Sequence, residues 1–308
     1  MLVDHASLDD AGVFAWGRGE ALVQTVDFFT PVVDDPYDFG RVAAANALSD
    51  VYAMGGRPLT ALSLLCVPEG RLGPEVLRHI VKGGQDIMRK AGVSIIGGHS
   101  ILDPELKFGF SVTGVVRRRH LLLNSNVRPG DHLVLTKPLG TGILSTALKQ
   151  GRLEPALLRR LTRQMATLNR AASEAAVEFG ARAATDVTGF GLLGHAQQMA
   201  GASGVSFRLR PVRRWFLPRV LELAAAGVQP GGLGRNREFY GAEIVHGNVD
   251  GPMRDALFDP QTSGGLLIAI GARRAGALLA ALRRRRVWSE VIGEAVARGR
   301  VAIELARA

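Results

Sequence analysis

Strand-like and helix-like segments alternate along the N-terminal part of the chain, and this alternation restricts the possible folds more than any other feature. The predicted strands cover residues 21–27, 59–67, 93–96 and 107–116, and the predicted helices cover 39–54 and 74–91. The first helix runs into Gly55 and Gly56, which favour termination, and the second begins with Pro74 and Glu75, which suit a first helical turn. The pattern predicts an α/β or α+β domain.

A second α/β segment is predicted to begin near Gly130. Its predicted strands cover residues 131–137, 205–209 and 264–270, and its predicted helices cover 154–180, 192–201 and 220–227, with another beginning at 143. Asp186 is predicted to lie in a loop that enters the helix at 192–201. The stretch NSNVRPG at 124–130 is rich in loop-forming residues. A chain of 308 residues is long enough for two domains, which we place at residues 1–126 and 127–308.

The chain carries a formal net charge of +10, and much of the positive charge is arginine in separate short runs. These runs lie at residues 117–119, 213–214 and 283–286. A nucleic-acid-binding protein gathers basic residues on one face, often among aromatic side chains, whereas aromatic residues make up only 6% of this chain. We therefore interpret the runs as solvated loops and helix ends, and expect no nucleic-acid partner. The positive field favours the approach of an anionic nucleotide.

Hydropathy and cysteine content indicate a soluble cytoplasmic protein. No apolar run reaches the roughly 18 residues that a membrane-spanning helix needs, and we expect no membrane partner. The N-terminal stretch MLVDHASLDD is too acidic for a signal peptide. Cys66 is the single cysteine, which excludes an intrachain disulfide and fits a reducing compartment. Its apolar setting, ALSLLCV, predicts a packing residue and not a reactive thiol.

Four aspartates stand apart in small, apolar or glycine-rich surroundings: Asp10, Asp27, Asp50 and Asp186. A carboxylate in such a stretch is costly to bury unless a positive group meets it. Mg²⁺ is bound by a few carboxylates together with water and substrate phosphates, so distant segments can assemble such a site. One of these aspartates alone would be more typical of a turn or a helix cap. The set of four predicts a site for Mg²⁺ and a polyphosphate.

Two glycine clusters are candidates for binding a nucleotide. Gly97, Gly98, His99 and Ser100 are predicted to form a ligand loop after a buried strand, although a tight turn explains them equally well. The stretch GFGLLG at 189–194 matches the dinucleotide pattern GxGxxG and leaves an NADP-binding oxidoreductase as an alternative. The preceding ARAATDVT does not resemble the hydrophobic strand that this pattern requires. The sequence contains no P-loop motif GxxxxGK[ST].

Taken in order, seven segments resemble selenophosphate synthetase (selenide, water dikinase). They are LDDAGV, TVDFFTPVVDDPYDFGRVAAANALSDVYAMGGRP, GGHS, LTKPLGTG, ATDVTGFGLLGH, PGGLGRN and DPQTSGGLL. Aminoimidazole ribonucleotide synthetase, thiamine-monophosphate kinase and the hydrogenase maturation dehydratase are related, but the pair TDVTGFGLLGH and DPQTSGGLL is specific to the dikinase. The resemblance implies the two-domain fold of aminoimidazole ribonucleotide synthetase. It also implies a homodimer formed through strands of the first domains, with the nucleotide between the two domains of a chain.

The family converts ATP, selenide and water to selenophosphate, AMP and phosphate. By resemblance, Asp10, Asp50 and Asp186 are Mg²⁺ ligands. The resemblance also implies nucleotide contacts at Ser7, Leu8, Asp9, Asp27, Asn46, Asp50, Gly98, His99 and Ser100. Asn46 lies one helical turn before Asp50, so its amide would face the same site. Phosphoryl transfer depends mostly on positioning and charge neutralisation, which carboxylates that hold Mg²⁺ supply.

Two departures from the family pattern bear on activity. The family begins with a glycine-rich segment that carries a reactive Cys or selenocysteine and then a lysine, whereas the first lysine here is Lys82, and Cys66 aligns inside a core strand. We expect the catalytic residues in an upstream segment that is absent by nature, by trimming or through a misread UGA codon. This chain is then expected to bind Mg-ATP but to make little selenophosphate. Leu8 stands where arginine is expected, a change that a backbone contact would survive. A catalytically silent ATP-binding regulatory or selenium-delivery homologue is the alternative.

Overall fold

The computed structural model describes residues 1–306, which divide into two compact units. The first unit contains residues 1–121 and 162–170, and the second contains residues 122–161 and those from 171 onward. The division at residue 121 falls shortly before the sequence-based boundary at residue 126. Each unit combines a β-sheet with helices, which confirms the predicted α/β class. Among the described residues, no helix combines the length and the apolar character needed to cross a membrane.

The first unit is built on a five-stranded sheet. Its strands are β1 (Gly12–Trp16), β2 (Glu20–Phe29), β3 (Arg57–Val67), β4 (Ser94–Leu102) and β5 (Lys107–Arg117), and its helices are α1 (Pro36–Ala47), α2 (Ser49–Ala53) and α3 (Pro74–Ala91). The strand order is β1-β2-β5-β3-β4. Neighbouring strands are antiparallel except β3 and β4, which are parallel and are connected through α3. Parallel neighbours need such a crossover connection.

Helices α1 and α3 cover one face of this sheet and pack closely against each other. The covered face carries buried side chains such as Phe110 and Val112. A Cβ atom at Gly40 would lie 1.9 Å from the carbonyl oxygen of Ile80, and one at Gly83 would lie 2.0 Å from that of Tyr37. The backbones of the two helices therefore approach so closely that only glycine fits at either crossing position.

The opposite face of the first sheet is uncovered and apolar. Phe14, Val26, Phe28 and Leu62 project from this face, as the strand register shows, and each is more than 40% exposed. An exposed apolar patch of this kind commonly marks a surface that contacts a partner.

The second unit contains a seven-stranded sheet. Its strands are β6 (Asp131–Leu135), β7 (Ala183–Asp186), β8 (Val205–Leu209), β9 (Ile244–Val245), β10 (Leu266–Gly271), β11 (Glu290–Ala297) and β12 (Ile303–Leu305). The helices after residue 122 are α4 (Thr141–Lys149), α5 (Pro155–Met165), α6 (Arg170–Glu178), α7 (Gly191–Ala202), α8 (Val220–Ala225), α9 (Gly231–Tyr240), α10 (Gly251–Leu257) and α11 (Ala272–Arg284). The strand order is β7-β10-β6-β11-β8-β12-β9, and the neighbouring interior strands β10 and β6 are mostly buried.

The predicted ligand loop at Gly97–Ser100 is wrong, because all four residues lie inside β4. This strand forms one edge of the first sheet and is largely exposed, whereas the sequence predicted a short buried strand that ended before the glycines. A Cβ atom at Gly98 would lie 2.2 Å from the carbonyl oxygen of Ser63 on β3. Glycine is thus required at this position by the close approach of two strands.

Two predicted helices are each divided in the structure. The helix predicted at 39–54 begins earlier, at Pro36, where the Asp35 carboxylate accepts a hydrogen bond from a backbone N–H of the first turn, and it is interrupted at Leu48. The helix predicted at 154–180 is two helices, α5 and α6. The Thr167 hydroxyl donates to the carbonyl oxygen of Arg163 where α5 ends, and such side-chain bonds compete with helix continuation.

Five strands were not predicted from the sequence, namely β1, β7, β9, β11 and β12, and two of them bear on the site. The first, β1, lies between Gly12 and Trp16, and the second, β7, contains Asp186, which was predicted to lie in a loop. Alanine is depleted in strands, so the sequence AATD gives little local strand signal. Pairing with the buried strand β10 overrides this weak propensity, because Ala183 to Asp186 fit four consecutive partners there.

Candidate metal and nucleotide site

The buried carboxylate of Asp50 lies where α2 meets β2. Asp50 occupies the first turn of α2 and is 9% exposed. The hydroxyl of Thr25, on the covered face of β2, donates a hydrogen bond to the Asp50 carboxylate. Nearby, the side-chain amide of Asn46 at the end of α1 donates to the Asp27 carboxylate on β2 at 2.7 Å. The predicted proximity of Asn46 to this group of aspartates is therefore present in the first unit.

Asp10 brings a second carboxylate to Asp50. It lies in the loop between a 3₁₀ turn at His5–Ser7 and β1, and one of its carboxylate oxygens lies within 4.8 Å of one from Asp50. Two carboxylates at this separation repel each other, and a cation between them relieves that repulsion. Oxygen ligands of this kind are the ones that Mg²⁺ prefers. The residues of this part of the first unit therefore fit a divalent metal ion.

The segment before Asp10 forms a tight turn. The Asp4 carboxylate accepts from the backbone N–H of Ala6 at 3.0 Å, and the Ser7 hydroxyl donates to the Asp4 carbonyl at 2.9 Å. Leu8 follows with a positive φ of 53°, an uncommon conformation for a residue with a large side chain, and its side chain is exposed. Asp9 then leads into Asp10. Strained backbone of this kind is common in loops that contact a ligand.

The GGHS segment lies apart from Asp27 in the first sheet. Gly98, Ser63, Phe110 and Asp27 are successive partners across four neighbouring strands. Neighbouring strands are about 4.8 Å apart, so Gly98 and Asp27 are separated by about 14 Å. His99 and Ser100 lie beside Gly98 on the exposed edge strand. Gly98 and Asp27 are therefore too far apart to contact the same atom of a ligand.

In the second unit, Asp186 is accompanied by a buried lysine that sequence reasoning missed. Asp186 ends β7 and is 1% exposed, and Lys137 follows β6 and is 6% exposed. The Lys137 ammonium donates to the carbonyl oxygen of Ser263 at 2.8 Å. Burial lowers the pKa of Lys137 to about 7, and the negative charge of Asp186 opposes this shift. The available signal was a lysine placed two residues after the apolar stretch LVL.

The N-terminus of α4 is filled by side chains of the DPQTSGG segment. The Gln261 amide oxygen accepts hydrogen bonds from the backbone N–H groups of Gly140 at 2.9 Å and Thr141 at 3.1 Å. The Asp259 carboxylate accepts from the N–H of Gly142 at 3.1 Å, and burial raises the pKa of Asp259 to about 7. A helix N-terminus after a glycine-rich turn commonly binds an anionic ligand. In this protein those backbone N–H groups donate hydrogen bonds to side chains of the same chain.

The loop that follows Asp186 is held by two other motif segments, DPQTSGGLL and PGGLGRN. Backbone groups of residues 187–189 are hydrogen-bonded to the Gly265 carbonyl, the Gln261 N–H and the Asn236 side-chain amide. The backbone N–H of the central residue in this loop also donates to Nε2 of His195 at 3.1 Å. That bond requires a neutral imidazole that carries its proton on Nδ1. Hydrogen bonds between the motifs of the second unit thus hold these segments together and hold the backbone after Asp186 in place.

His195 is expected to make the stability of the protein depend on pH. Burial lowers the pKa of His195 to about 4, so the unfolded chain binds its proton first as the pH falls. The stabilisation is complete above about pH 6.5 and is lost as the pH falls toward 4, a change of at most about 3 kcal/mol. Urea unfolding at a series of pH values measures it. His195→Gln, which retains an acceptor, is expected to flatten this dependence, whereas His79→Gln on the exposed surface of α3 is expected to preserve it. An unchanged pH dependence in His195→Gln would contradict the assignment.

The architecture argues against the dinucleotide interpretation of GFGLLG. A strand, β7, does precede this stretch, contrary to the sequence prediction. However, the only described neighbour of β7 is the antiparallel strand β10, and β8, which follows α7, lies four places away in the sheet. A dinucleotide fingerprint needs a parallel βαβ unit around the glycines. The arrangement of β7, α7 and β8 does not provide one.

Comparison with known proteins identifies both halves of the chain. Residues 8–116 match the family "AIR synthase related protein, N-terminal domain", and residues 128–306 match its C-terminal domain. Among solved structures, the protein TT0281 from Thermus thermophilus has a TM-score of 0.74 at 21% identity and covers 96% of this chain and 88% of its own. AaThiL in complex with AMPPCP and TMP has a TM-score of 0.71 at 19% identity, with coverages of 97% and 88%. These structures share the fold.

Sequence relatives are closer. The selenide, water dikinase of Pelobacter propionicus is 48% identical over 298 residues, which cover 96% of this chain and 86% of the relative. The selenide, water dikinase of Clostridioides difficile is 41% identical over 301 residues, with coverages of 97% and 86%. The matched residues extend through both units of the chain. The chain therefore belongs to the selenide, water dikinase (selenophosphate synthetase) family.

Proposed function

We propose that this protein is an Mg²⁺-dependent selenophosphate synthetase that converts ATP, selenide and water to selenophosphate, AMP and phosphate. The observation that carries the proposal is the pair of carboxylates on Asp10 and Asp50, whose oxygens lie within 4.8 Å of each other in the first unit. Two structural neighbours support the proposal, because one is AaThiL in complex with AMPPCP and the other is the hydrogenase maturation protein HypE in complex with ATP.

Asp10 and Asp50 are proposed to hold Mg²⁺, and Asp186 is proposed as a third carboxylate ligand by resemblance to the family. Bound Mg²⁺ would neutralise the phosphate charge that develops during transfer. The chain's own contribution is to orient the ligands. The Thr25 hydroxyl donates to one Asp50 oxygen and so fixes the orientation of this carboxylate. Groups that orient metal ligands in this way commonly affect metal affinity by about tenfold to a hundredfold.

The nucleotide is proposed to extend from the aspartates to neighbouring segments. Asp27, fixed by Asn46, would lie beside the metal-bound phosphates. The turn at Ser7, Leu8 and Asp9 would offer backbone groups to ATP. Gly98, His99 and Ser100 are proposed as further nucleotide contacts, and their separation of about 14 Å from Asp27 means that they would meet a different part of the molecule.

A homodimer is proposed from the uncovered face of the first sheet. Phe14, Val26, Phe28 and Leu62 form an exposed apolar surface, and a second copy of this chain would bury it. The edge strand β4 is exposed along its length and offers backbone groups for the same association. A cytoplasmic location is also proposed, and the free, buried thiol of Cys66 is compatible with a reducing compartment.

Product analysis tests this function directly. The protein is produced from its gene together with any coding sequence upstream of Met1, because this chain by itself is expected to make little selenophosphate. It is incubated anaerobically with ATP, selenide and Mg²⁺, and nucleotides and phosphorus species are followed by chromatography and ³¹P NMR. We expect AMP, orthophosphate and selenophosphate in equal amounts, and we expect none of them to form without selenide or in the presence of EDTA. Accumulation of ADP in place of AMP would contradict the proposal.

A further inference from the structure

Three consecutive arginines at the end of β5 lie against the turn that joins β1 and β2. The backbone N–H of Arg118, the middle one, donates to the Gly19 carbonyl at 3.0 Å. Its guanidinium donates to the carbonyl oxygens of Glu20 at 3.2 Å and Gly17 at 3.5 Å. These bonds join the end of one strand to the turn of a hairpin. Arg118 therefore holds its two neighbouring arginines in place beside this turn.

Four arginines surround one shallow cavity at this end of the first sheet. The cavity has a volume of about 490 Å³ and is lined by Arg18, Gly19, Glu20, Arg117, Arg118 and Arg119. Four guanidinium groups and one carboxylate give this lining a net charge of +3. Asp27 lies seven positions beyond Glu20 along β2, which corresponds to about 23 Å in an extended strand. The cavity is therefore separate from the aspartates of the proposed metal site.

The arginine runs of the chain differ in how their charge is compensated. In the second unit, Arg213 pairs with Glu222 at 2.6 Å, and Arg214 pairs with Glu290 at 2.8 Å. By contrast, none of the four arginines around the cavity forms an ion pair with a carboxylate within residues 1–306. Like charges held close together repel one another, and a bound anion relieves that repulsion.

His120, which follows the run, is affected by the same positive charges. Nε of Arg119 donates to Nε2 of His120 at 3.3 Å, which requires an imidazole without a proton on that nitrogen. Burial lowers the pKa of His120, and the charges of Arg119 and Arg117 lower it further. Two of the four guanidinium groups are thus close enough to act together on one imidazole.

We propose that the arginine cluster of Arg18, Arg117, Arg118 and Arg119 binds an anion that carries at least two phosphate groups. Guanidinium groups donate paired hydrogen bonds to phosphate oxygens, which suits them to this class of ligand. A net charge of +3 is more than one orthophosphate balances, and a cavity of about 490 Å³ has room for several phosphate groups. Inorganic tripolyphosphate and the phosphate chain of a nucleotide share this chemistry.

Calorimetric titration with tripolyphosphate tests the site in protein freed of metal by a chelating resin. Without a metal ion, the aspartates repel phosphate and do not contribute to binding. R18Q/R119Q retains Arg118, which holds the hairpin, and is expected to weaken binding at least about tenfold. R159Q/R160Q removes the same charge from the exposed surface of α5 and is expected to bind like wild type. Equal losses in the two variants, or no binding to wild type, overturn the proposal.

A comparison of ligands identifies the anion. Orthophosphate is expected to bind at least about tenfold more weakly than tripolyphosphate, because it engages fewer guanidinium groups. Equal affinity for the two overturns the requirement for two phosphate groups. Equal affinity for ATP and tripolyphosphate supports recognition of the phosphates alone, and tighter binding of ATP supports a nucleotide ligand. A short single-stranded RNA that binds where tripolyphosphate does not would make the cluster a nucleic-acid contact and overturn the proposal.

His120 gives a local readout that general attraction by positive charge would not produce. Protein with ¹³C-labelled histidine is titrated with acid and followed by NMR, with and without saturating tripolyphosphate, and H120Q assigns the signal. A bound anion opposes the charges of Arg117 and Arg119, so the pKa of His120 is expected to rise on binding. The other histidine signals are expected to stay unchanged. An unchanged pKa of His120 overturns the location of the site.

Sedimentation velocity distinguishes an anion site from a contact with a second copy of the chain. The cluster borders the uncovered face of the first sheet, because Trp16, Glu20 and Arg117 are aligned across β1, β2 and β5. R18Q/R119Q is expected to keep the oligomeric state of wild type, and loss of an oligomer in this variant overturns the proposal. None of these measurements requires Mg²⁺ or turnover, so this site and the proposed function can fail separately.

Discussion

Asp50→Asn is expected to lower Mg²⁺-dependent ATP turnover by at least about 100-fold while leaving the fold intact. Asparagine retains an oxygen that accepts the Thr25 hydroxyl, so the local hydrogen bond survives. It loses the negative charge that would hold the metal. Because an Asp10 oxygen lies within 4.8 Å, the substitution also removes a like-charge repulsion. The melting temperature of the metal-free protein is therefore expected to stay equal to that of wild type or to rise.

Steady-state AMP formation over a range of Mg²⁺ concentrations, together with thermal unfolding in EDTA, checks both parts. Asp38→Asn is the matched control, because Asp38 lies in the first turn of α1, is 29% exposed and pairs with Arg41. A pair of this exposure contributes at most about 1 kcal/mol, and its loss is expected to leave turnover unchanged. Turnover by Asp50→Asn at the wild-type level would remove Asp50 from the metal site. A marked loss of stability would instead give Asp50 a structural role.

Gly83→Ala is expected to destabilise the protein by about 3 kcal/mol or more. The added Cβ would lie 2.0 Å from the carbonyl oxygen of Tyr37 and 2.9 Å from its carbon, both of which belong to the backbone of α1. Backbone atoms cannot rotate away as a flexible side chain can, so α1 and α3 must separate. Asn46 lies at the end of α1, and a shift of this helix is also expected to weaken nucleotide binding.

Urea unfolding and calorimetric titration with Mg-ATP measure these effects. Gly276→Ala is the control, because this glycine lies inside α11 and a Cβ there meets no atom within 4 Å. Alanine is the better helix former, so Gly276→Ala is expected to stabilise the protein by up to about 1 kcal/mol. Gly83→Ala with wild-type stability would mean that α1 and α3 are farther apart than described.

Local signals in the sequence predicted several elements with accurate bounds. Helix α3 was predicted at residues 74–91 and spans Pro74–Ala91, because a proline begins it and Gly92 ends it in a left-handed conformation. Strand β8 was predicted at residues 205–209 and has those bounds. The spacing to Asp50 predicted that the Asn46 amide would face the aspartates, and this amide donates to Asp27 although the helix is interrupted at Leu48. Such features depend on residues close together in the chain.

Features that depend on partners distant in sequence were missed or misread. The sequence around Gly98 is also typical of a loop glycine. Glycine is required at this position because Ser63 on the neighbouring strand lies so close. The strand that ends at Asp186 has weak local propensity and is formed by pairing with β10. The residues that flank Lys137 in the sequence do not predict that its side chain is buried. Its hydrogen bond to Ser263 joins positions 126 residues apart.

The sequence by itself determined the family, the α/β class, most of the helices and strands, and the identity of the carboxylates proposed as metal ligands. These follow from residue type, local periodicity and motif order, which are all written along the chain. Only the tertiary structure decided that the GGHS segment is an edge strand, that Gly40 and Gly83 must be glycine, and that Lys137 is buried. Close approach and burial of charge are properties of packed surfaces, and they exist only once distant segments have met.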